Sequence, residues 1–477
     1  MAKQKKKIDL KKSCMELINQ NEELNSLFDK VAVNYREESD DFSVSILPNY
    51  SEANKERYAQ QKSYTNYLLS LLEEIHRYSY LALCETFMYQ ERLDYKDDNN
   101  FFSSRYFLSN ASFHIIGAWE RTIRLSGLLY GYDFNQSLKY SHIYNALKKN
   151  REFKCNEVFL VIQELKSSTH FPDIEELRIS NDHKLSKHVE YESDDDLRRM
   201  ALSCYENAKG LYQIIYYYIN RFLNERIIRV TEIDLTLFKW NLTLDVVKIK
   251  PIISKELTSE LLPARLDRCS DYLSNHIYTF EALRYITNHF LTTLNNNSKY
   301  MLLHSDLVFR LHEATRSLKF AYNLIVKAKK EHKELGEESV CFVNMDYAYF
   351  VESAISRVYS AYDKIAMLLH YYTGGGSKEN SFEQFMRNHN DELENEELLR
   401  LANSIYNRDE YKELYQLRQN NFHHMVKENF INRSDSEWSH VYNLILVSKN
   451  IQILKPLVSK LMELYVDDPA CLRNSGN

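Results

Sequence analysis

The sequence is poor in the residues that interrupt helices. It contains 9 glycines and 6 prolines among 477 residues, well below average usage, and long stretches are rich in leucine, glutamate, lysine, tyrosine and asparagine. Apolar residues recur at spacings of three and four, which is the pattern of helices that bury one face. These two features predict an all-α fold.

Several kinds of segment are also missing. No run approaches the roughly 20 apolar residues that span a bilayer, and the start, Met1 to Lys7, lacks the apolar core of a signal peptide. The 7 cysteines are scattered singly, without the spacing of zinc or redox sites. We therefore expect a cytoplasmic protein with reduced thiols and no membrane contact.

The motifs of several enzyme classes are absent as well. There is no glycine-rich phosphate loop, dinucleotide fingerprint or Ser/His/Asp arrangement. The acidic run Asp194 to Asp196 lacks the glycine and final glutamate of a calcium loop, and it is expected to open a helix. We predict neither a metal nor a cofactor. The net charge is −6, so the overall electrostatic potential of the protein does not attract nucleic acid. Any nucleic acid would therefore have to bind at a local basic site.

A short polar cluster occurs twice, 240 positions apart (418 − 178), and each copy follows a leucine. The pattern is R-x2-N-x-H, and the copies are Arg178-Ile-Ser-Asn181-Asp-His183 and Arg418-Gln-Asn-Asn421-Phe-His423. Two lookalikes, Arg284 with His289 and Arg433 with His440, have no counterpart in the other half.

The surroundings of the two clusters repeat, which indicates an old duplication. At the same separation Val161 matches Leu401, Ile174 matches Leu414 and Asp195 matches Asp435. Upstream the separation becomes 243 (349 − 106), and the matches are Tyr106-Phe107 with Tyr349-Phe350, Ala111 with Ala354, Ala118 to Arg121 with Ala361 to Lys364, and Gly131 with Gly374. The first long helix of each half is again aligned at 240, with Glu73 on Glu313.

Four regions follow from this alignment. They are a polar N-terminal extension (1–60), a first helical domain (61–226), a connector with a helical extension (227–300) and a second helical domain (301–470). Helices are predicted at 63–93, at 102–130 with Gly131 closing the end, and at 346–372. The alternating segment Phe42 to Leu47 predicts a short strand or an extended linker, and Ile228 to Ile253 predicts a small β-ribbon or an extended connector.

The duplicated helical units with Arg-x4-His on the penultimate helix resemble the HEPN superfamily (higher eukaryotes and prokaryotes nucleotide-binding domains). The resemblance covers roughly residues 63–225 and 303–467. It implies a metal-independent endoribonuclease with catalytic Arg178, His183, Arg418 and His423. The family's polar residue directly after the arginine is replaced by Ile179 and Gln419, and the shared asparagines, Asn181 and Asn421, come three after it. The resemblance also implies a bacterial defence or toxin system, with an antitoxin or sensor protein as partner.

The chemistry of arginine and histidine is suited to RNA cleavage, independently of the family resemblance. Attack by the 2′-hydroxyl needs a base, an acid for the leaving oxygen and cationic donors on the phosphate, which histidine and arginine supply. Five residues correspond to about 140° around a helix, so the arginine and histidine of one copy do not share a face. We therefore expect one site pooled from both halves, or completed across a homodimer.

Non-catalytic interpretations of the same residues are also consistent with the sequence. Glu120 and Asp363 either orient the arginines or are solvated positions beside Arg121 and Lys364. The alternative for the clusters is that they are polar residues of a helix pair, kept by ancestry without catalytic activity. The protein would then be a non-catalytic scaffold or a nucleic-acid-binding protein built on the same duplicated fold.

Overall fold

The structure is a computed structural model of the 477-residue chain. It describes residues 22, 25–26, 55–90, 95–97, 100–102, 104–183, 194–225, 262–293, 299–330, 347–373, 381–389, 397–423 and 433–467. The extended segments predicted at Phe42 to Leu47 and Ile228 to Ile253 lie outside these residues.

The described part of the first half is helical except for one small hairpin. Its elements are α1 (Lys55–Gln90), β1 (Tyr95–Asp97), β2 (Asn100–Phe102), α2 (Ser104–Leu129), α3 (Tyr140–Leu147), α4 (Arg151–Lys154), α5 (Glu157–Ser167), α6 (His170–His183) and α7 (Asp194–Glu225). The strands pair antiparallel, with Tyr95 opposite Phe102.

The remaining described elements are helices. They are α8 (Leu262–Thr293), α9 (Lys299–Lys330), α10 (Tyr347–Tyr372), α11 (Phe382–Asn388), α12 (Glu397–Tyr406), α13 (Asp409–His423) and α14 (Arg433–Asp467). The all-α class is therefore confirmed. Within the described residues, no helix combines the length and apolar character that crossing a bilayer requires.

Local sequence explains several helix ends. Asn150, Asn156 and Ser381 each accept a hydrogen bond from a first-turn backbone N–H and so cap α4, α5 and α11. Gly131 follows α2 with a φ of +72°, a left-handed conformation that favours glycine. The prediction that Gly131 closes this helix is confirmed. The hairpin between α1 and α2 was not predicted, because the sequence there shows only a charged run.

Two sets of long helices form the core. In the first half, α1 packs along α2 and α7, and α6 packs on α2 and α7. In the second half, α9 packs along α10, and α14 packs on α9, α10 and α13. The helix α8 lies against α9 and α14. The buried residues of both sets form one continuous hydrophobic cluster.

Buried ion pairs correct one predicted register. Arg121 on α2 pairs with Glu74 on α1, and Lys364 on α10 pairs with Asp306 on α9. Arg121 and Lys364 are related by 243 positions (364 − 121), as predicted, but their partners are related by 232 (306 − 74) rather than 240. A slip of eight residues is little more than two helical turns, so the apolar spacing of these helices did not reveal it.

Candidate active site at the junction of the two halves

The two halves meet along α2 and α10 through buried hydrogen bonds. The Tyr106 hydroxyl lies 2.8 Å from Ser353 Oγ, and Asn110 Nδ2 donates to the Tyr349 hydroxyl at 2.7 Å. Asn110 Nδ2 also donates to Ser353 Oγ at 3.2 Å. Tyr106 and Tyr349, like Asn110 and Ser353, are related by 243 positions in the sequence. Each contact therefore has a counterpart with the halves exchanged.

One helical turn further along α2 and α10, two more buried contacts correspond to each other when the halves are exchanged. The Arg357 guanidinium lies 4.0 Å from the centre of the Tyr106 ring, while the His114 ring lies 6.1 Å from that of Tyr349. His114 and Arg357 are again 243 positions apart (357 − 114). Arg357 pairs with Glu313 at 2.9 Å, and His114 Nδ1 lies 2.8 Å from Glu85. Burial raises the pKa of Glu85, which the neighbouring His114 opposes.

Contacts with α1 and α9 follow the same exchange. The Tyr349 hydroxyl donates to Glu85 at 2.7 Å, and the Tyr106 hydroxyl lies 2.8 Å from Ser317 Oγ. Glu85 and Ser317 are 232 positions apart (317 − 85), the separation that the Glu74 and Asp306 ion pairs also give. Two sets of contacts thus relate α1 to α9 at a separation of 232, whereas the partners of His114 and Arg357, Glu85 and Glu313, give 228 (313 − 85), about one helical turn less.

The cluster helices lie where the halves meet. The helix α6, which carries Arg178 and His183, contacts α2 of its own half and α10 of the other half. Conversely, α13, which carries Arg418 and His423, contacts α10 of its own half and α2 of the other half. Both predicted clusters are thus brought to the same central pair of helices.

Arg121 fastens the second cluster helix to the first half. Its side chain is 1 % exposed and forms an ion pair with Glu74. Its guanidinium also lies 4.4 Å from the centre of the Tyr78 ring and donates to the backbone carbonyl of Asn421 at 2.9 Å. The Tyr78 hydroxyl donates to the same carbonyl at 3.3 Å. This carbonyl is in the last turn of α13, where carbonyls have no partner within their own helix.

Arg418 is buried against an aromatic ring. It is 6 % exposed, and its guanidinium lies 4.6 Å from the centre of the Tyr359 ring. Burial, together with the charges of Asp363 and Glu383, raises the pKa of Tyr359, whereas Arg418 lowers it. Asp363, one of the predicted supporting residues, is 2 % exposed and accepts a hydrogen bond from the Phe382 backbone N–H at 3.2 Å. Asp363 is therefore not a solvated position.

In the first half, the charges of Arg178 and Glu120 both affect the pKa of Tyr140. Both side chains are half-buried. Burial raises the pKa of Tyr140, Glu175 and Glu120 raise it further, and Arg178 lowers it. The Tyr140 hydroxyl donates to Glu175 at 3.3 Å. In both halves, the cluster arginine and the acidic residue of the central helix thus act on one tyrosine.

Other predicted residues are placed in part. His183 and His423 are the last residues of α6 and α13, and Asn181 lies in the last turn of α6, but the side chains of these three residues are outside the described structure. Asn421 is 9 % exposed. The lookalike Arg284 lies on α8, away from both cluster helices in the sequence, and packs 4.9 Å from the centre of the Phe309 ring.

Arg121, Tyr359 and Tyr140 were not predicted as site residues. Arg121 and Lys364 entered the prediction only as neighbours of Glu120 and Asp363, yet both are buried in ion pairs. Their signal was present as a basic residue in both copies, within an otherwise apolar helix. Tyr359 and Tyr140 carry no such signal, because the chain has 36 tyrosines.

No protein family model matches the chain, and neither does any curated protein or solved structure. Among the described residues, no group of three or more His, Cys, Asp or Glu side chains is arranged to hold a metal ion.

Proposed function

We propose that this protein is a metal-independent endoribonuclease whose active site combines Arg178 and His183 with Arg418 and His423. The observation that carries the proposal is the exchange of cluster helices: α6 and α13 each contact the central helix of the opposite half. That packing is what a site pooled from two units requires, because one helix alone points its arginine and histidine in different directions.

We also propose that the halves are copies of one HEPN-like unit, packed as an intramolecular pseudo-dimer. A two-fold interface is self-complementary, so that residue i contacts j' while j contacts i'. The pairs Tyr106 with Ser353 and Asn110 with Tyr349 follow this rule in the separation of 243 that the sequence predicted. The sequence resemblance and this reciprocity support the duplication independently of each other.

The proposed chemistry uses two histidines and two arginines. One imidazole takes the proton from the 2′-hydroxyl, which attacks the adjacent phosphorus. The other imidazole gives a proton to the departing 5′-oxygen, so that the products are a 2′,3′-cyclic phosphate and a 5′-hydroxyl. The guanidinium groups stabilise the negative charge that builds on the phosphate oxygens. Asn181, Asn421, Glu120 and Asp363 support these groups.

The test is cleavage of single-stranded RNA in EDTA, with identification of the RNA ends. We expect cyclic phosphate and 5′-hydroxyl ends, and we expect His183→Ala and His423→Ala each to lower the rate by a factor of about 10² or more. Arg284→Ala, from the unrepeated lookalike, is the matched control and should retain the rate. Cleavage that requires added magnesium would contradict the proposal.

A second candidate is a non-catalytic scaffold on the same fold, and the burial of Arg418 over Tyr359 favours it. A buried, stacked guanidinium can serve packing alone. The two candidates differ in the effect of Arg418→Lys, which keeps the charge but loses the planar fork. An enzyme should lose cleavage while remaining folded, whereas a scaffold should show no cleavage before or after the change.

A further inference from the structure

Beside the first cluster, one lysine is held by aromatic rings instead of carboxylates. The ammonium group of Lys166 lies 4.2 Å from the centre of the Tyr144 ring, 4.4 Å from that of Phe171 and 5.6 Å from that of Tyr140. Burial lowers the pKa of Lys166, which Glu175 partly offsets. Three rings on one ammonium form a cage that fixes the cation by its charge.

A second lysine shares one of these rings. The ammonium group of Lys148 lies 5.0 Å from the centre of the Tyr144 ring, and the Tyr144 hydroxyl accepts a hydrogen bond from Gln163 at 2.7 Å. Within the described residues, neither lysine has a carboxylate at ion-pair distance. Because aromatic rings do not neutralise the ammonium charge, both lysines can still attract an anionic partner.

At the matching position, the described part of the second half has an aromatic ring in place of Lys166. At the separation of 240 that relates the cluster helices, Lys166 corresponds to Tyr406 and Phe171 to Tyr411. Tyr406 and Tyr411 pack on each other, with ring centres 5.8 Å apart, and both contact Phe382. The aromatic cluster of the second half thus contains the Tyr406 ring at the position where the first half has the Lys166 ammonium group. Packing alone does not require the lysine.

The cage is next to the first cluster. Tyr140, one of its three rings, is the tyrosine on which Arg178 and Glu120 act. Phe171 and Arg178 lie on the same helix, α6, two turns apart. The described cations around this point are Lys148, Lys166 and Arg178, and the described carboxylates are Glu120 and Glu175.

We propose that Lys148 and Lys166 bind successive backbone phosphates of single-stranded RNA and lead the strand to the site at Arg178. The inference rests on the proposed function, for which it names the surface that holds the substrate. Phe171 is 4 % exposed and Tyr144 is 5 % exposed, so these rings are too buried to stack on bases. Contacts through phosphates alone give binding that is indifferent to sequence and strongly dependent on salt.

The test measures binding separately from cleavage. The probe is a fluorescein-labelled single-stranded 2′-O-methyl RNA oligonucleotide, which has no free 2′-hydroxyl and is not cleaved by the proposed chemistry. Anisotropy titrations over a salt series give the affinity and the slope of log K against log salt. Each phosphate contact on a single strand contributes about 0.7 to the magnitude of this slope.

We expect Lys166→Gln and Lys148→Gln each to weaken binding about five-fold or more at low salt and to reduce the slope by about 0.7. Lys166→Arg keeps the charge over the rings and should keep the slope. The matched control is Lys412→Gln, which removes an exposed lysine from the second cluster helix, where it donates to the Asn407 carbonyl. This control should leave the slope unchanged.

An unchanged slope in Lys166→Gln, or an equal loss in Lys412→Gln, would overturn the inference. If circular dichroism shows that Lys166→Gln does not fold, Lys148→Gln decides by the same criteria. The lysine variants could show the reduced salt slope while the wild-type protein cleaves no RNA. That result would support phosphate binding by the two lysines and reject the proposed ribonuclease activity. Alternatively, the wild-type protein could cleave unmodified RNA while the lysine variants bind the probe as it does. That result would support the ribonuclease activity and reject phosphate binding by the two lysines.

Discussion

Arg121 donates a hydrogen bond of 2.9 Å to the backbone carbonyl of Asn421, 300 positions further along the chain. The adjacent residue, Glu120, acts on Tyr140 together with Arg178. Two neighbouring residues of α2 therefore act on the second cluster helix, α13, and on the tyrosine that Arg178 of the first cluster also influences.

Arg121→Ala should destabilise the protein strongly. The change removes one member of a buried ion pair with Glu74, and breaking such a pair costs about 3–5 kcal/mol. The measurement is urea denaturation at neutral pH. Arg198→Ala is the control, because its side chain is 62 % exposed and pairs with Asp195 on the same helix, so a loss under about 0.5 kcal/mol is expected. Equal losses would show that Arg121 does not secure the junction.

Tyr349→Phe and Tyr106→Phe test whether the contacts between the halves act together. Each change removes buried hydrogen bonds, and a typical one contributes about 0.5–1.5 kcal/mol to stability. Because both tyrosines bond to Asn110 or Ser353, we expect their losses to couple by at least about 0.5 kcal/mol in a double-mutant cycle of unfolding free energies.

The contrast for this cycle is Tyr349→Phe combined with Tyr64→Phe. The Tyr64 hydroxyl bonds to the Leu128 carbonyl within the first half, so this pair should be additive. Additivity in both cycles would mean that the halves do not share one polar network.

Acid should destabilise the protein through buried histidines. Burial lowers the pKa of His76 from 6.5 to about 4, so between these pH values the unfolded chain binds a proton that the folded chain does not. The contribution of His76 to stability is therefore complete above pH 6.5 and falls as the pH drops toward 4, by up to about 1 kcal/mol per pH unit.

His76→Phe should flatten this part of the curve of unfolding free energy against pH, because phenylalanine suits the apolar site and does not titrate. Tyr212→Phe alters the same ring contact, whose centres are 5.8 Å apart, and should leave the slope unchanged. The same slope in the wild-type protein and His76→Phe would contradict the assignment. His304, whose pKa burial also lowers to about 4, should keep a residual slope in both variants.

The fold was more accessible from the sequence than the site. Helix class and several helix ends followed from few glycines, apolar spacing and single signals such as Gly131, since these are local properties of the chain. The sequence predicts a separation of 240 between α1 and α9, whereas the ion pairs of Glu74 and Asp306 give 232. A difference of eight residues is about two helical turns, so the spacing of apolar residues barely changes.

The site depended on contacts that the sequence does not display. The repeated clusters predicted which helices matter, and their surroundings supplied the separation of 243. The roles of Arg121 and of the lysine cage at Lys166 depend on the residues that fold against them, on α1 and α13 for the arginine and on α3 and α6 for the lysine. A linear pattern carries no record of such partners.

The pooled active site is tested most directly by a double-mutant cycle of RNA cleavage rates in EDTA. Arg178→Ala, Arg418→Ala and the double variant are compared with the wild-type protein, each with its fold verified by circular dichroism. If the arginines serve one site, either single change should lower kcat nearly as far as both together, because residues that act as one catalytic unit fail together. If each single variant instead kept about half of the activity and only the double variant lost it, the halves would hold separate sites and the composite site would be refuted.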